Sequence, residues 1–90
     1  MSEVVDNAAR HRFELEVDGA TAFAEYRREG SNIVFTHTIV PEALSGRGIG
    51  SRLVRGALEA VRAEGLKVVP HCPFVRAYIE KHPEERDLLA

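Results

Sequence analysis

From Arg12 onward the chain alternates: Phe13, Leu15 and Val17 are apolar while Glu14, Glu16 and Asp18 are charged. This is the period-two pattern of a strand with one face buried. Asp18-Gly19 follows, a dipeptide that accepts the positive φ of a tight hairpin turn. A second strand, Thr21 to Arg28, alternates less cleanly but carries Phe23 and Tyr26, and it runs into the turn signal Glu29-Gly30-Ser31-Asn32. In the third, Ile33 to Val40, the pattern predicts Ile33, Phe35, His37 and Ile39 on one face and Val34, Thr36, Thr38 and Val40 on the other, with β-branched residues dominating. Pro41 lacks the amide that a ladder needs and closes this strand.

From Gly48 to about Glu64 the period changes. Ile49, Leu53, Ala57 and Val61 recur every four residues, Val54 and Leu58 widen the stripe, and Arg52, Arg55, Glu59 and Arg62 fall on the wet face. Gly65 is a natural stop just past this helix. Leu66-Lys67-Val68-Val69 then reads as a short buried strand, and Pro73 opens a second helix whose inward side is predicted to be Phe74, Tyr78 and Ile79, ended by His82-Pro83. Residues 1–11 show no periodicity and are expected to be a flexible lead to one domain over residues 12–90. The order of elements predicts an α+β fold: a three-stranded antiparallel meander, a crossover helix, one further strand parallel to its neighbour, and a C-terminal helix.

Composition narrows the function. A chain of 90 residues with 44% hydrophobic and 29% charged residues is long enough for one small core. A net charge of −2 argues against a general nucleic-acid binder, which needs excess Lys and Arg to displace counterions. No apolar run is long enough for a membrane span or signal peptide, so the expectation is a cytoplasmic monomer or weak dimer without membrane contact. The single cysteine, Cys72, excludes an internal disulfide and any multi-cysteine metal site. His11 and His82 have no ligand spacing to the other histidines, and no metal is expected.

The densest chemical signal is Ser45-Gly46-Arg47-Gly48-Ile49-Gly50-Ser51, between a strand that Pro41 ends and a helix that starts near Gly48. Glycines let an anion approach the backbone, and the first-turn amides with the helix dipole favour negative charge. Between Ala43 and Leu58 the only charged residues are Arg47, Arg52 and Arg55, which suits a phosphate. The dinucleotide fingerprint fails because Ser51 stands where a third Gly or Ala is needed, and the P-loop fails because no Lys follows the glycines. The alternative is a purely structural strand-to-helix connection.

The run Val40-Pro41-Glu42-Ala43-Leu44-Ser45-Gly46-Arg47-Gly48-Ile49-Gly50-Ser51-Arg52-Leu53 resembles the acetyl-coenzyme A motif of GNAT-superfamily N-acetyltransferases, Arg/Gln-x-x-Gly-x-Gly/Ala, with Ser45 in place of Arg or Gln. His37-Thr38-Ile39-Val40-Pro41 and Cys72-Pro73-Phe74-Val75 resemble signatures of its small GNAT-like subfamily, and the resemblance runs from about Phe13 to Pro83. It implies a minimal GNAT-like core that uses acetyl-coenzyme A to acetylate a primary amine: a protein or peptide lysine or N-terminus, or a polyamine. The alternative is a non-catalytic acyl-coenzyme A binding or sensing module. The resemblance implies that the coenzyme lies on Ser45, Gly46, Arg47, Gly48, Ile49, Gly50 and Ser51, with the main chain of Ile39 and Val40 along its pantetheine arm and Lys81 near a phosphate or the adenine.

Two familiar helpers are missing: Ile39 stands where many relatives carry Glu, and Ile79 falls where larger enzymes place an acid Tyr. Cys72 is the candidate for proton transfer or for transient acetylation, because a helix N-terminus favours thiolate over thiol. It reads equally well as a packed, inert cysteine. His37 is the candidate base, or else a half-buried histidine on the Ile33 face.

Overall fold

The computed structural model describes residues 3–90; Met1 and Ser2, part of the expected lead, lie outside the described residues. Five strands form one sheet in chain order: β1 (Val5–Asn7), β2 (Arg12–Val17), β3 (Ala20–Glu29), β4 (Asn32–Ile39) and β5 (Lys67–Pro70). The first four pair antiparallel, and β5 joins β4 in parallel through the crossover helix α1 (Ile49–Ala63). The second helix, α2 (Pro73–Lys81), follows β5. The predicted α+β architecture is present with one strand more.

That strand, β1, falls within residues 1–11, where the sequence shows no periodicity and a flexible lead was expected. At three residues it is too short to show alternation, and side chains from the neighbouring strands hold it. The Tyr26 hydroxyl donates to the Asp6 carboxylate at 2.5 Å, and Asn7 Nδ2 donates to Glu14 at 3.1 Å. Burial, reinforced by the bond to Asp6, pushes the Tyr26 phenol up to about 12. Tertiary context made this strand, as context commonly outweighs β-propensity.

The local signals elsewhere act as their chemistry dictates. Asp18 and Gly19 take φ values of 51° and 79°, the paired positive angles that a two-residue hairpin with the sheet's twist requires. In α1 the stripe Ile49, Leu53, Val54, Ala57, Leu58 and Val61 is buried against the sheet. Gly65, at φ 71°, ends the helix, and the Leu66 amide bonds back to the Val61 carbonyl at 3.1 Å. In α2 the buried stripe is Val75, Tyr78 and Ile79, while Phe74 is 42% exposed. The inward side therefore sits one residue further round than predicted, and the Phe74 ring lies across Gly50 of α1 instead of entering the core.

The largest departure from the strand pattern lies in β4. Glu25 pairs with His37 but Tyr26 pairs with Phe35, so Thr36 is an extra residue, a β-bulge. Because side chains alternate with a period of two, one inserted residue flips everything after it. Ile33 and Phe35 face the core, whereas His37 and Ile39 sit opposite Glu25 and Phe23 on the outer face; Thr38 takes the core side opposite Ala24. His37, expected half-buried beside Ile33 or Phe35, has a 70% exposed side chain. Both helices contribute to the one core cluster on the inner face. The outer face carries Arg12, Glu14, Phe23, Glu25 and His37. There the Arg12 guanidinium lies 4.2 Å over the Phe23 ring and, by its hydrogen bond, holds Glu14 below the usual carboxylate range.

Candidate functional site

Leaving β4 at Pro41, the chain makes one 3-10 turn over Glu42–Leu44, anchored by buried Leu44, and enters the glycine segment. Gly46 and Gly48 sit at φ 76° and 69°, in the left-handed region, with Gly48 as the N-cap of α1. A Cβ at either would meet nothing within 4 Å, so both supply backbone conformation and open space. The Ser45 amide donates to the Glu42 carbonyl, and the next donor with an acceptor is Arg52, to Gly48 at 3.1 Å. Among the described residues, the six amides from Gly46 to Ser51 thus make no close, well-aligned hydrogen bond to a protein acceptor, although residues 45–48 form a turn. Such a run at a helix start is a donor set for an anion of several oxygens, such as a pyrophosphate.

Gly50 acts differently. A Cβ there would fall 2.5 Å from Phe74 Cζ, so its lack of a side chain lets Phe74 close over the first turn of α1. Beside this contact a groove of about 180 Å³ runs between the helices, lined by Ser51, Phe74, Ala77, Tyr78, Lys81 and His82. The Tyr78 and His82 rings stack at 3.9 Å and 16°, and His82 Nδ1 lies 2.8 Å from the Tyr78 carbonyl oxygen. Burial pushes the Tyr78 phenol above its ordinary range. Ser51 and Lys81 were expected near the glycine segment, and the groove brings them together. Its aromatic wall was not legible in the sequence, because Phe74 and Tyr78 read as core.

Near the C-terminal end of β4 the sheet opens. Pairing with β5 stops at Phe35 and Pro70, and one further bond follows, from the Cys72 amide to the Phe35 carbonyl at 3.0 Å. Past that point β4 has β3 on one side only, so the main chain through Ile39 has an edge that β5 does not pair. The Ile39 side chain is 47% exposed on the outer face, while Val40 packs partly against the core. Cys72 is the N-cap residue of α2 and is 3% exposed, with Sγ 3.2 Å from Thr38 Oγ1. The bulge that turns Thr38 toward this sulfur turns His37 away from it. His37 Nδ1 lies 3.7 Å from Glu25 Oε1 on the opposite face, so Cys72 and His37 are not brought together.

With this geometry, known proteins place the chain. A family model described as GCN5-related N-acetyl-transferase matches residues 12–88, from β2 to the end of the chain's last helical turn. The chain belongs to the GCN5-related N-acetyltransferase family. Protein NATD1 of Gallus gallus is 33% identical over 84 residues, covering 90% of this chain and 76% of that protein. The Mus musculus protein NATD1 is 35% identical over 77 residues, covering 82% and 70% respectively. Among solved structures, the NMR solution structure of a GCN5-like putative N-acetyltransferase from Staphylococcus aureus aligns with a TM-score of 0.74 and 27% identity, over 100% of this chain and 91% of that one.

Proposed function

We propose that this protein binds acetyl-coenzyme A and transfers the acetyl group to a primary amine: a protein or peptide lysine or N-terminus, or a polyamine. The observation that carries the reading is the run of six amides from Gly46 to Ser51 at the start of α1, none held by a close main-chain hydrogen bond, in a chain that belongs to an acetyltransferase family. The amides, with Arg47 and Arg52 alongside, hold the pyrophosphate; Lys81, across the groove from Ser51, meets a further phosphate or the adenine. The main chain of Ile39 and Val40, where β4 leaves β5, lines the pantetheine arm. Acetyl-coenzyme A supplies an acyl group already activated as a thioester. In this reading Cys72 gives a proton to the departing thiolate, and His37, on the outer face, is the base for an amine arriving from that side.

The 3% exposure of Cys72 and its separation from His37 favour a second reading, a module that binds acyl-coenzyme A without turnover. Thermal unfolding with acetyl-coenzyme A, followed by a transfer assay on peptides, polyamines and free N-termini, separates the two. Ligand at 100 times its dissociation constant stabilises a specific binder by about 2.7 kcal/mol. No stabilisation overturns coenzyme binding, and stabilisation without transfer to any amine establishes the module.

A further inference from the structure

We propose that Asp18 and Glu3 are built-in competitors for the coenzyme phosphates: each holds one of the arginines flanking the glycine segment and gives it up when coenzyme binds. The inference rests on the coenzyme reading above. Arg47 Nη1 lies 2.9 Å from Asp18 Oδ2, and Arg52 Nε donates to Glu3 Oε1 at 2.8 Å. The two acids come from separate places, the β2–β3 hairpin turn and the segment that leads into β1, yet both reach the start of α1. The third arginine of this stretch, Arg55, pairs instead within its own helix, with Glu59 at 3.5 Å.

A guanidinium presents the same fork of donors to a carboxylate or a phosphate, and the phosphate carries more charge. Both pairs are half-exposed, and such pairs are weak enough to exchange. Next to them stand the amides of Gly46 to Ser51, none held by a close main-chain hydrogen bond, so the carboxylates hold the cations while these main-chain donors answer to no close acceptor. Coenzyme binding then breaks both pairs and frees the hairpin turn and the segment before β1, at a cost to affinity. Neutralising either acid removes that cost.

The test is calorimetric titration of coenzyme A into wild type, Asp18→Asn, Glu3→Gln and Glu42→Gln at low and physiological salt. Asn keeps the tolerance for the positive φ at position 18. Glu42 is exposed in the turn before the glycines and pairs with neither arginine, so it controls for the general field. Asp18→Asn and Glu3→Gln are expected each to tighten binding about two- to five-fold at low salt, and less at physiological salt, the range that exposed ion pairs are worth. Glu42→Gln leaves the affinity unchanged, and Glu3→Gln has no effect in an Arg52→Gln background. Unchanged or weaker binding in both acid variants overturns the proposal, as does an equal gain from Glu42→Gln. Failure of wild type to bind coenzyme A overturns the coenzyme reading and this proposal with it; tight wild-type binding that neither substitution moves overturns this proposal alone.

Discussion

At the glycine segment the groups on offer are main-chain amides, and they stay in place whatever side chains surround them. Where β4 leaves β5 the groups on offer are side chains, Cys72, Thr38 and His37, and their placement hangs on a single extra residue, Thr36. The first region needs positive φ at Gly46 and Gly48 and an α-helix after them, which short-range chemistry supplies. The second needs a bulge, a parallel neighbour that stops early and a helix that starts at Pro73, all in register. Binding built from backbone tolerates sequence change; proton chemistry built from side chains does not.

The substitution with the largest expected effect tests the backbone half. Gly48→Glu puts bulk and negative charge in the anion site. Because the Cβ meets no neighbour, the fold pays only left-handed strain of about 1–2 kcal/mol. Calorimetry is expected to show coenzyme A affinity falling by about 100-fold or more, equivalent to about 2.7 kcal/mol; a folded variant with wild-type affinity breaks the backbone side of the comparison. Next comes the side-chain half. Cys72→Ser keeps the size and the hydrogen bond to Thr38 but makes a far weaker acid and nucleophile. Acetyl transfer to a lysine peptide is expected to fall about 100-fold while coenzyme affinity stays within a few-fold. Equal steady-state rates would remove the thiol from the mechanism.

A smaller effect isolates the bulge. Thr38→Val removes the hydroxyl from the cysteine sulfur with little change of shape, and transfer should drop about tenfold, roughly one hydrogen bond, with coenzyme binding intact. Thr38→Ser restores the rate if the hydroxyl is what matters, and a Ser variant as slow as Val assigns the effect to packing. The smallest effect leaves the site alone. Tyr26→Phe deletes the bond to Asp6 that ties β1 to β3, and urea unfolding at pH 7 should show a loss of about 1 kcal/mol. The Tyr26 phenol titrates at about 12 in the folded protein against an unperturbed value near 10, so the folded state favours its proton. That stability is fully present below pH 10 and is lost as pH rises through 12. The Phe variant is expected to show a shallower slope, keeping only the part that the raised Tyr78 phenol contributes, and an equal slope in both proteins would place the titration elsewhere.

Much of the fold, and the glycine segment of the candidate site, were legible because their signals are local. Period-two alternation marked β2, period-four apolar spacing marked α1, and Asp18-Gly19, Gly65 and Pro73 punctuated the chain where the structure turns, stops and starts. Gly46, Gly48 and Gly50 pointed to the start of α1 for the same reason. His37 shows the limit. Reading β4 as regular put it with Ile33 and Phe35, since a bulge leaves no mark in a β-branched run and appears only when two strands are paired. Phe74 shows another: its inward or outward sense depends on how α2 meets Gly50.

By itself, then, the sequence determined the strands and α-helices from β2 onward, their order, and the backbone conformation of the turn at Gly46–Gly48, because φ preference, apolar period and missing donors act within a few residues. Only the tertiary structure decided that Val5–Asn7 is a strand, that Thr38 and not His37 faces Cys72, and that Asp18 and Glu3 reach the arginines beside α1. The last two outcomes depend on pairings between residues 29, 34 and 49 positions apart, and such pairings form only when the whole sheet sets the register.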